Sequence, residues 1–257
     1  MVDDNFECLT TEQIFPYLHR GGTILQTDNL SESQNQSLPQ QVITALTTND
    51  FDALIVIGNQ ESYQVAAKIT QLSFPVVTIP ATIVNDISGT KRSLGFATAV
   101  NNAVNAIDKL HTTAESHGHI FVVEVMGKKV GHIAKYVGKA IGADMILIPE
   151  TKVTVEQVIE KLNRNKRKEK SYSMIVTAEG AITCDDLAKE IEARSEHKIH
   201  PLALGYIQRG GDAVYEDRIL GVAFGEAAIN ILGSKKHGIA LGMNFGEIEH
   251  LPLLAYL

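Results

Sequence analysis

The sequence predicts an α/β protein built on mainly parallel sheets, and two features predict it. Five short apolar runs rich in β-branched residues recur along the chain, and amphipathic stretches of helical length separate them. Runs that are apolar on both faces suit strands covered by helices on either side, and steady alternation of strand and helix is the pattern of parallel pairing.

Taken in order, residues 53–58 (ALIVIG) form the first expected strand and residues 62–69 a helix after it. Residues 75–80 (PVVTIP) precede a longer helix over 97–111, and 120–125 (IFVVEV) precede one over 132–141. Residues 145–150 (MILIPE) and 174–179 (MIVTAE) lead into helices over 155–162 and 187–193. Ligands of open α/β sheets sit beyond the carboxyl ends of the strands, so GNQES, PATIVND, MGKK, PE and AEG are the segments to inspect. The basic run at 163–170 (NRNKRKEK) reads as the solvated end of a helix.

Composition limits the function. The 257 residues are 44% hydrophobic and 21% charged, enough for one large domain or two small ones. A net charge of −7 argues against general nucleic-acid binding, and no apolar run is long enough for a membrane helix. The opening MVDDNFECLTTEQ is acidic and polar where an export signal needs a basic start and an apolar run, which predicts a cytoplasmic protein. Cys8 and Cys184 lie far apart without ligand spacing, so neither a disulfide framework nor a zinc site is expected, and no metal ligands are assigned.

Several segments in fixed order carry more specific information: HRGGTIL from His19, FDALIVIG from Phe51, TIVNDISGTKRSLGF from Thr82, SHGH from Ser116, FVVEVMG from Phe121, ADMILIPE from Ala143, LGYIQRGG from Leu204 and EDRIL from Glu216. This series, from Arg20 to about Leu232, resembles the bacterial-type ATP-dependent 6-phosphofructokinases. The resemblance implies a phosphofructokinase-like fold of two Rossmann-like α/β domains. Residues 1–95 plus 208–257 correspond to the phosphoryl-donor domain, beginning after the family's first strand and glycine loop and ending before its closing helix. Residues 96–207 correspond to the sugar-phosphate domain. It also implies an oligomer of the chain with itself or with an active paralogue, a sugar phosphate or other small phosphate anion as ligand, no nucleic acid and no membrane. An active member would use Mg2+ and ATP; an inactive one needs no cofactor.

The departures from the family's pattern fall at the chemistry. The family's GGDGS donor loop is Gly58, Asn59, Gln60, Glu61 and Ser62 here. Gln60 is a neutral amide where a hard cation prefers a carboxylate, and Glu61 adds charge beside a triphosphate. The plain reading of this loop is a strand-to-helix turn capped by Ser62. The family's base aspartate is replaced by Val84, between Thr82 and Asp86, and Ala81 stands where the pyrophosphate-using branch has lysine. Thr82 and Asp86 remain as catalytic candidates, with Asp86 a substitute base or a turn residue.

The resemblance also assigns sugar-phosphate contacts. His119, Lys128 and His200 replace arginines, Tyr206 replaces a histidine, and Met126, Gly127, Glu179 and Arg209 match the family. If His119, His200 and Arg209 converge as the resemblance implies, phosphate binding is expected to be tighter near pH 6 than near pH 8; the alternative is that they are three unconnected surface cations. Glu150, Lys168 and Lys170 fall at effector positions, with His111 where an arginine is expected. The chain is therefore read as a catalytically impaired or inactive family member retaining a weak sugar-phosphate pocket. The alternatives are an active phosphotransferase acting on fructose 6-phosphate or a related sugar phosphate with ATP or another donor, and a decaying gene product that barely folds.

Overall fold

Strand formation follows the β-branched runs. In a computed structural model describing residues 6–27 and 34–257, the strands are β1 (Leu54–Gly58), β2 (Val76–Pro80), β3 (Ile120–Val125), β4 (Met145–Leu147), β5 (Ser173–Ala178), β6 (Ile199–Ala203), β7 (Ile239–Asn244) and β8 (Glu247–Pro252). The helices are α1 (Thr11–Ile14), α2 (Gln34–Thr48), α3 (Gln60–Gln71), α4 (Phe96–His117), α5 (His132–Ala140), α6 (Val155–Arg167), α7 (Cys184–Arg194) and α8 (Tyr215–Gly233). Two compact units result, one from Met1–Gly95 with Gly211–Leu257 and the other from Phe96–Gly210.

The first unit carries a sheet in the order β1-β2-β7-β8, parallel except for β8, which returns from β7 as a hairpin. Every residue of β2 is buried, and its alternating side chains feed two cores. Val76 joins Tyr63, Ala66 and Leu253 on one face, and Val77 and Ile79 join Phe224, Leu241 and Ile231 on the other. α8 thus covers one face of the sheet, and its buried Asp217 accepts a hydrogen bond from the Gly95 N–H at 3.1 Å.

The second unit has an all-parallel sheet in the order β4-β5-β3-β6. β5 is buried along its whole length, as a central strand between helical layers should be. Val122, Ile175, Leu162, Leu187 and Ile191 form the core beneath α6 and α7, and α4 and α5 pack against the other side.

The expected run 145–150 is a strand only to Leu147, because Ile148 and Thr151 close a tight antiparallel bridge around Pro149. The helix expected over 97–111 continues to His117. Both cysteines are free, and burial pushes the Cys184 thiol up to about 11, which leaves it unreactive. No helix among the described residues is long and apolar enough to cross a membrane.

Phe224 is fully buried, whereas Phe245 at the β7–β8 turn is 89% exposed. Urea titration is expected to show Phe224→Ala losing about 3–5 kcal/mol of stability, and Phe245→Ala less than about 1 kcal/mol.

Candidate functional site

Candidate residues of the first unit lie where β1 and β2 end. Gly58 is the last residue of β1, and a Cβ there would come within 2.3 Å of the Ser62 hydroxyl oxygen. Asn59, not Ser62, is the N-cap of α3, and its Oδ1 accepts from both the N–H and the hydroxyl of Ser62 at 3.2 Å. The expectation that Ser62 caps the helix is therefore corrected: the residue with extended backbone one position before the first turn takes the cap, and Ser62 is its donor. Glu61 lies in the first turn, where the helix dipole favours its charge, and Gln60 and Glu61 are both exposed.

Beyond β2 the chain folds back on itself. Asn85 adopts φ +56°, a left-handed conformation that asparagine tolerates, and its buried amide donates to the Lys91 carbonyl at 2.9 Å. The Ser93 hydroxyl lies 2.9 Å from Asn85 Oδ1 and 2.6 Å from the Thr82 carbonyl oxygen, its one proton shared between the two acceptors. The Thr82 hydroxyl donates to Asp86 Oδ1 at 3.4 Å, and the half-buried Val84 offers no proton acceptor on its side chain.

In the second unit, four residues gather at the carboxyl ends of β3, β5 and β6. The Gly127 N–H donates to Glu179 Oε1 at 3.1 Å, and the Met126 N–H donates to Gln208 Oε1 at 3.1 Å. Gly127 has φ +143°, and a Cβ there would lie 2.4 Å from the Val130 carbonyl. Lys128 projects from the same turn and is exposed. Tyr206 and Arg209 are also exposed, with the guanidinium carbon 5.2 Å from the tyrosine ring centroid. Gln208 was missed by sequence reasoning; only its place in the QRGG segment marked it. It is 1% exposed, and its Nε2 donates to the Gly205 carbonyl at 3.0 Å, tying the segment after β6 to the end of β3.

His119 and His200 meet elsewhere. Their rings stack at 4.0 Å, with His117 5.2 Å from His119 and Phe121 5.5 Å from His200. His119 precedes β3 and His200 stands near the start of β6, so both lie at the amino edge of the sheet, whereas Arg209 follows its carboxyl edge. The expected convergence of His119, His200 and Arg209 thus fails within one chain, because parallel strands hold the imidazoles and the guanidinium at opposite ends.

The effector candidates are separated in the same way. Both Glu150 oxygens accept from the Gly131 N–H at 3.0 Å, at the start of α5. Lys170 sits 2.7 Å from each oxygen of Asp144, just before β4, and Lys168 forms the C-cap of α6. Asp144 also accepts from Asn165 and the Met174 N–H, so Lys170 belongs to a closed polar cluster at the other end of β4 from Glu150. His111 packs edge-on against Tyr172. Among the described residues no three His, Cys, Asp or Glu side chains gather into a metal-binding group.

Residues 1–232 match the family model described as phosphofructokinase. The ATP-dependent 6-phosphofructokinase of Bacillus cytotoxicus is 38% identical over 248 residues, 96% of this chain and 78% of that protein. Its counterpart from Bacillus thuringiensis is 39% identical over the same shares. Among solved structures, phosphofructokinase from Saccharomyces cerevisiae aligns with a TM-score of 0.85 at 26% identity, over 96% of this chain and 38% of that one. The Pichia pastoris enzyme in the T-state aligns at 0.88 and 26%, over 96% of this chain and 31% of that one. A pyrophosphate-dependent phosphofructokinase from Marinobacter aquaeolei shares the fold at 22% identity and a TM-score of 0.83.

Desolvation, followed by the charges of His200 and His117, lowers the His119 pKa below the ordinary histidine value. The unfolded chain then takes up this proton first as pH falls, so the contribution is neutral above the ordinary histidine range and destabilising below it. Thermal unfolding from pH 7.5 down to pH 5 should therefore show a falling Tm, with a shallower fall in His119→Asn.

Proposed function

The chain belongs to the phosphofructokinase family, and on that premise we propose that it is a member impaired or inactive in phosphoryl transfer that keeps a weak sugar-phosphate pocket. The observation that carries this reading is Val84. It occupies the position where the family motif has its proton-accepting aspartate, and loss of a general base alone costs about 10²- to 10⁴-fold. The nearest carboxylate in sequence, Asp86, is bonded to Thr82 within a turn closed by Asn85 and Ser93.

The donor side supports the same reading. A helix N-terminus receives phosphate through free N–H groups, yet Asn59 already occupies the Ser62 N–H of α3. The donor set does not fit a resident Mg2+, since the loop supplies the amide of Gln60 and the lone carboxylate of Glu61.

The sugar-phosphate side is better preserved. The backbone of Met126 and Gly127 is held by Gln208 and Glu179, and the exposed Lys128, Tyr206 and Arg209 surround the carboxyl edge. His119 and His200, at the opposite edge, would serve a neighbouring copy's pocket, as the family's arginines do. Imidazoles there bind phosphate through protonation, so affinity falls as pH rises.

A second reading has one observation in its favour. The partly exposed Asp86, beside the Thr82 hydroxyl, could accept a sugar hydroxyl proton in Val84's stead, which would leave an active phosphotransferase using ATP or another donor.

Purified protein assayed with fructose 6-phosphate, Mg2+ and either ATP or pyrophosphate is expected to turn over at least about 10²-fold below an ordinary 10 s⁻¹. Turnover near the ordinary value that Asp86→Ala abolishes would favour the second reading. In binding titrations, fructose 6-phosphate should bind more tightly at pH 6 than at pH 8, with the rise in affinity at the acidic end because the His119 pKa is lowered, and His119→Gln should flatten that dependence. A pH dependence equal to the ligand's own ionisation would exclude the imidazoles.

A further inference from the structure

Ligands of open α/β sheets sit beyond the carboxyl ends of the strands, and the second unit has a cleft there that the sugar-phosphate candidates do not line. It lies past the ends of β4 and β5 and has a volume of about 360 Å³, within the range of about 300–1,000 Å³ for small-molecule pockets. One wall comes from the stretch between Leu147 and Val158, which ends β4 and begins α6. The other is Gly180, Ala181 and Ile182, between β5 and α7, together with Leu187 of α7.

Leu147, Val158 and Leu187 belong to the core beneath α6 and α7, and Ile182 packs against it, so the base of the cleft is apolar and held by packing. The polar lining is Thr151, Lys152 and Thr154, and no carboxylate is part of it. Among the described residues Lys152 has no ion-pair partner, and neither its N–H, nor the Val153 N–H, nor the Thr151 hydroxyl bonds within the chain. Thr154 is engaged as the N-cap of α6, so the helix end itself is closed. Glu150, Glu156, Glu179 and Asp186 flank the lining segments, and their partners are the Gly131 N–H, Arg194, the Gly127 N–H and Lys189 in that order. The walls are also fixed before any ligand arrives. Ile148 and Thr151 bridge around Pro149, and the Gly180 and Ala181 N–H groups donate to the Gly127 and Ala178 carbonyls at 3.1 and 2.8 Å.

We propose that this cleft is a second ligand site, for a small aliphatic monocarboxylate. The carboxylate meets the Lys152 ammonium and the N–H groups of Lys152 and Val153, and the carbon chain lies on Leu147, Ile182 and Leu187. A single cation among donors that lack acceptors matches a single anionic group. The apolar base offers nothing to sugar hydroxyls, which would lose water there without a replacement bond. A sugar phosphate is therefore rejected by the cleft, and a cationic ligand would meet the like charge of Lys152. The site stands independently of whether phosphoryl transfer survives in this chain.

The test is NMR of the methyl-labelled full chain titrated with isocaproate. Saturable shifts of the Leu147, Ile182 and Leu187 methyls are expected in the millimolar range, as for a ligand this small. Lys152→Ala should weaken that binding by about threefold, the scale of an exposed ion pair, and the uncharged alcohol of the same carbon skeleton should bind the wild-type chain more weakly by a similar factor. Ala181→Trp, which fills the cleft from its rim, should abolish the response. Circular dichroism melts check that both variants fold. Fructose 6-phosphate should not displace isocaproate, which separates the cleft from the sugar-phosphate candidates whatever the activity assay returns. The proposal is overturned if isocaproate produces no saturable shift, if the alcohol or the Lys152→Ala chain binds as tightly, if folded Ala181→Trp still responds, or if fructose 6-phosphate competes.

Discussion

Parallel pairing along β3 decides what the second unit can bring together. Ile120 lies opposite Ser173 of β5 and Ile199 of β6, and the register holds through the length of the strand. Residues that follow the strands therefore share one edge and residues that precede them share the other. Six residues at about 3.3 Å each put the edges roughly 20 Å apart. Met126, Gly127, Glu179 and Gln208 fall on the carboxyl side, and His119 and His200 fall on the amino side. One chain cannot close a single pocket from both sets. On the proposed reading, a pocket that uses both sets takes them from two copies of the chain.

The same logic explains which parts were legible in the sequence. β1, β2, β3 and β5 announce themselves as continuous β-branched runs because both of their faces are covered. β6 carries Pro201 in IHPLA and pairs on one side only, an edge position where proline does not interrupt a ladder, so its sequence lacks a strand's appearance. α2 contains Pro39 and a glutamine-rich start, and α8 is apolar on two faces, so neither shows the one-sided stripe by which helices are read. At the candidate site, residue types and motif order singled out segments that the fold places at strand ends. Contacts did not follow, since the Asn59 cap, the role of Gln208 and the separation of Arg209 from the imidazoles depend on backbone direction at strand ends.

Around the donor positions the polar groups have found partners inside the chain. Asn59 holds Ser62, Thr82 holds Asp86, and Asn85 bridges Lys91 and Ser93. Each net hydrogen bond contributes only about 1 kcal/mol, but a buried group stripped of its partner costs about 1–3 kcal/mol. Asn85 and Ser93 are both buried, so a ligand that displaced their bonds would have to replace them. A site that binds through these groups thus competes with its own fold, whereas the exposed Lys128, Tyr206 and Arg209 face no such competition.

Motif glycines need a separate account from motif side chains. At Gly180 a Cβ would lie 1.9 Å from the Lys128 carbonyl oxygen, and at Gly127 it would lie 2.4 Å from the Val130 carbonyl oxygen. Backbone cannot yield as a flexible side chain does, so both positions are fixed by close packing whether or not a substrate binds. Val84 is under no such restraint, since its side chain is half-buried and its N–H bonds only weakly to the Thr82 hydroxyl at 3.4 Å. A chain can therefore keep the glycines that make a family recognisable while losing the carboxylate that performs its chemistry. On the proposed reading, the glycines report on the fold and position 84 on the reaction.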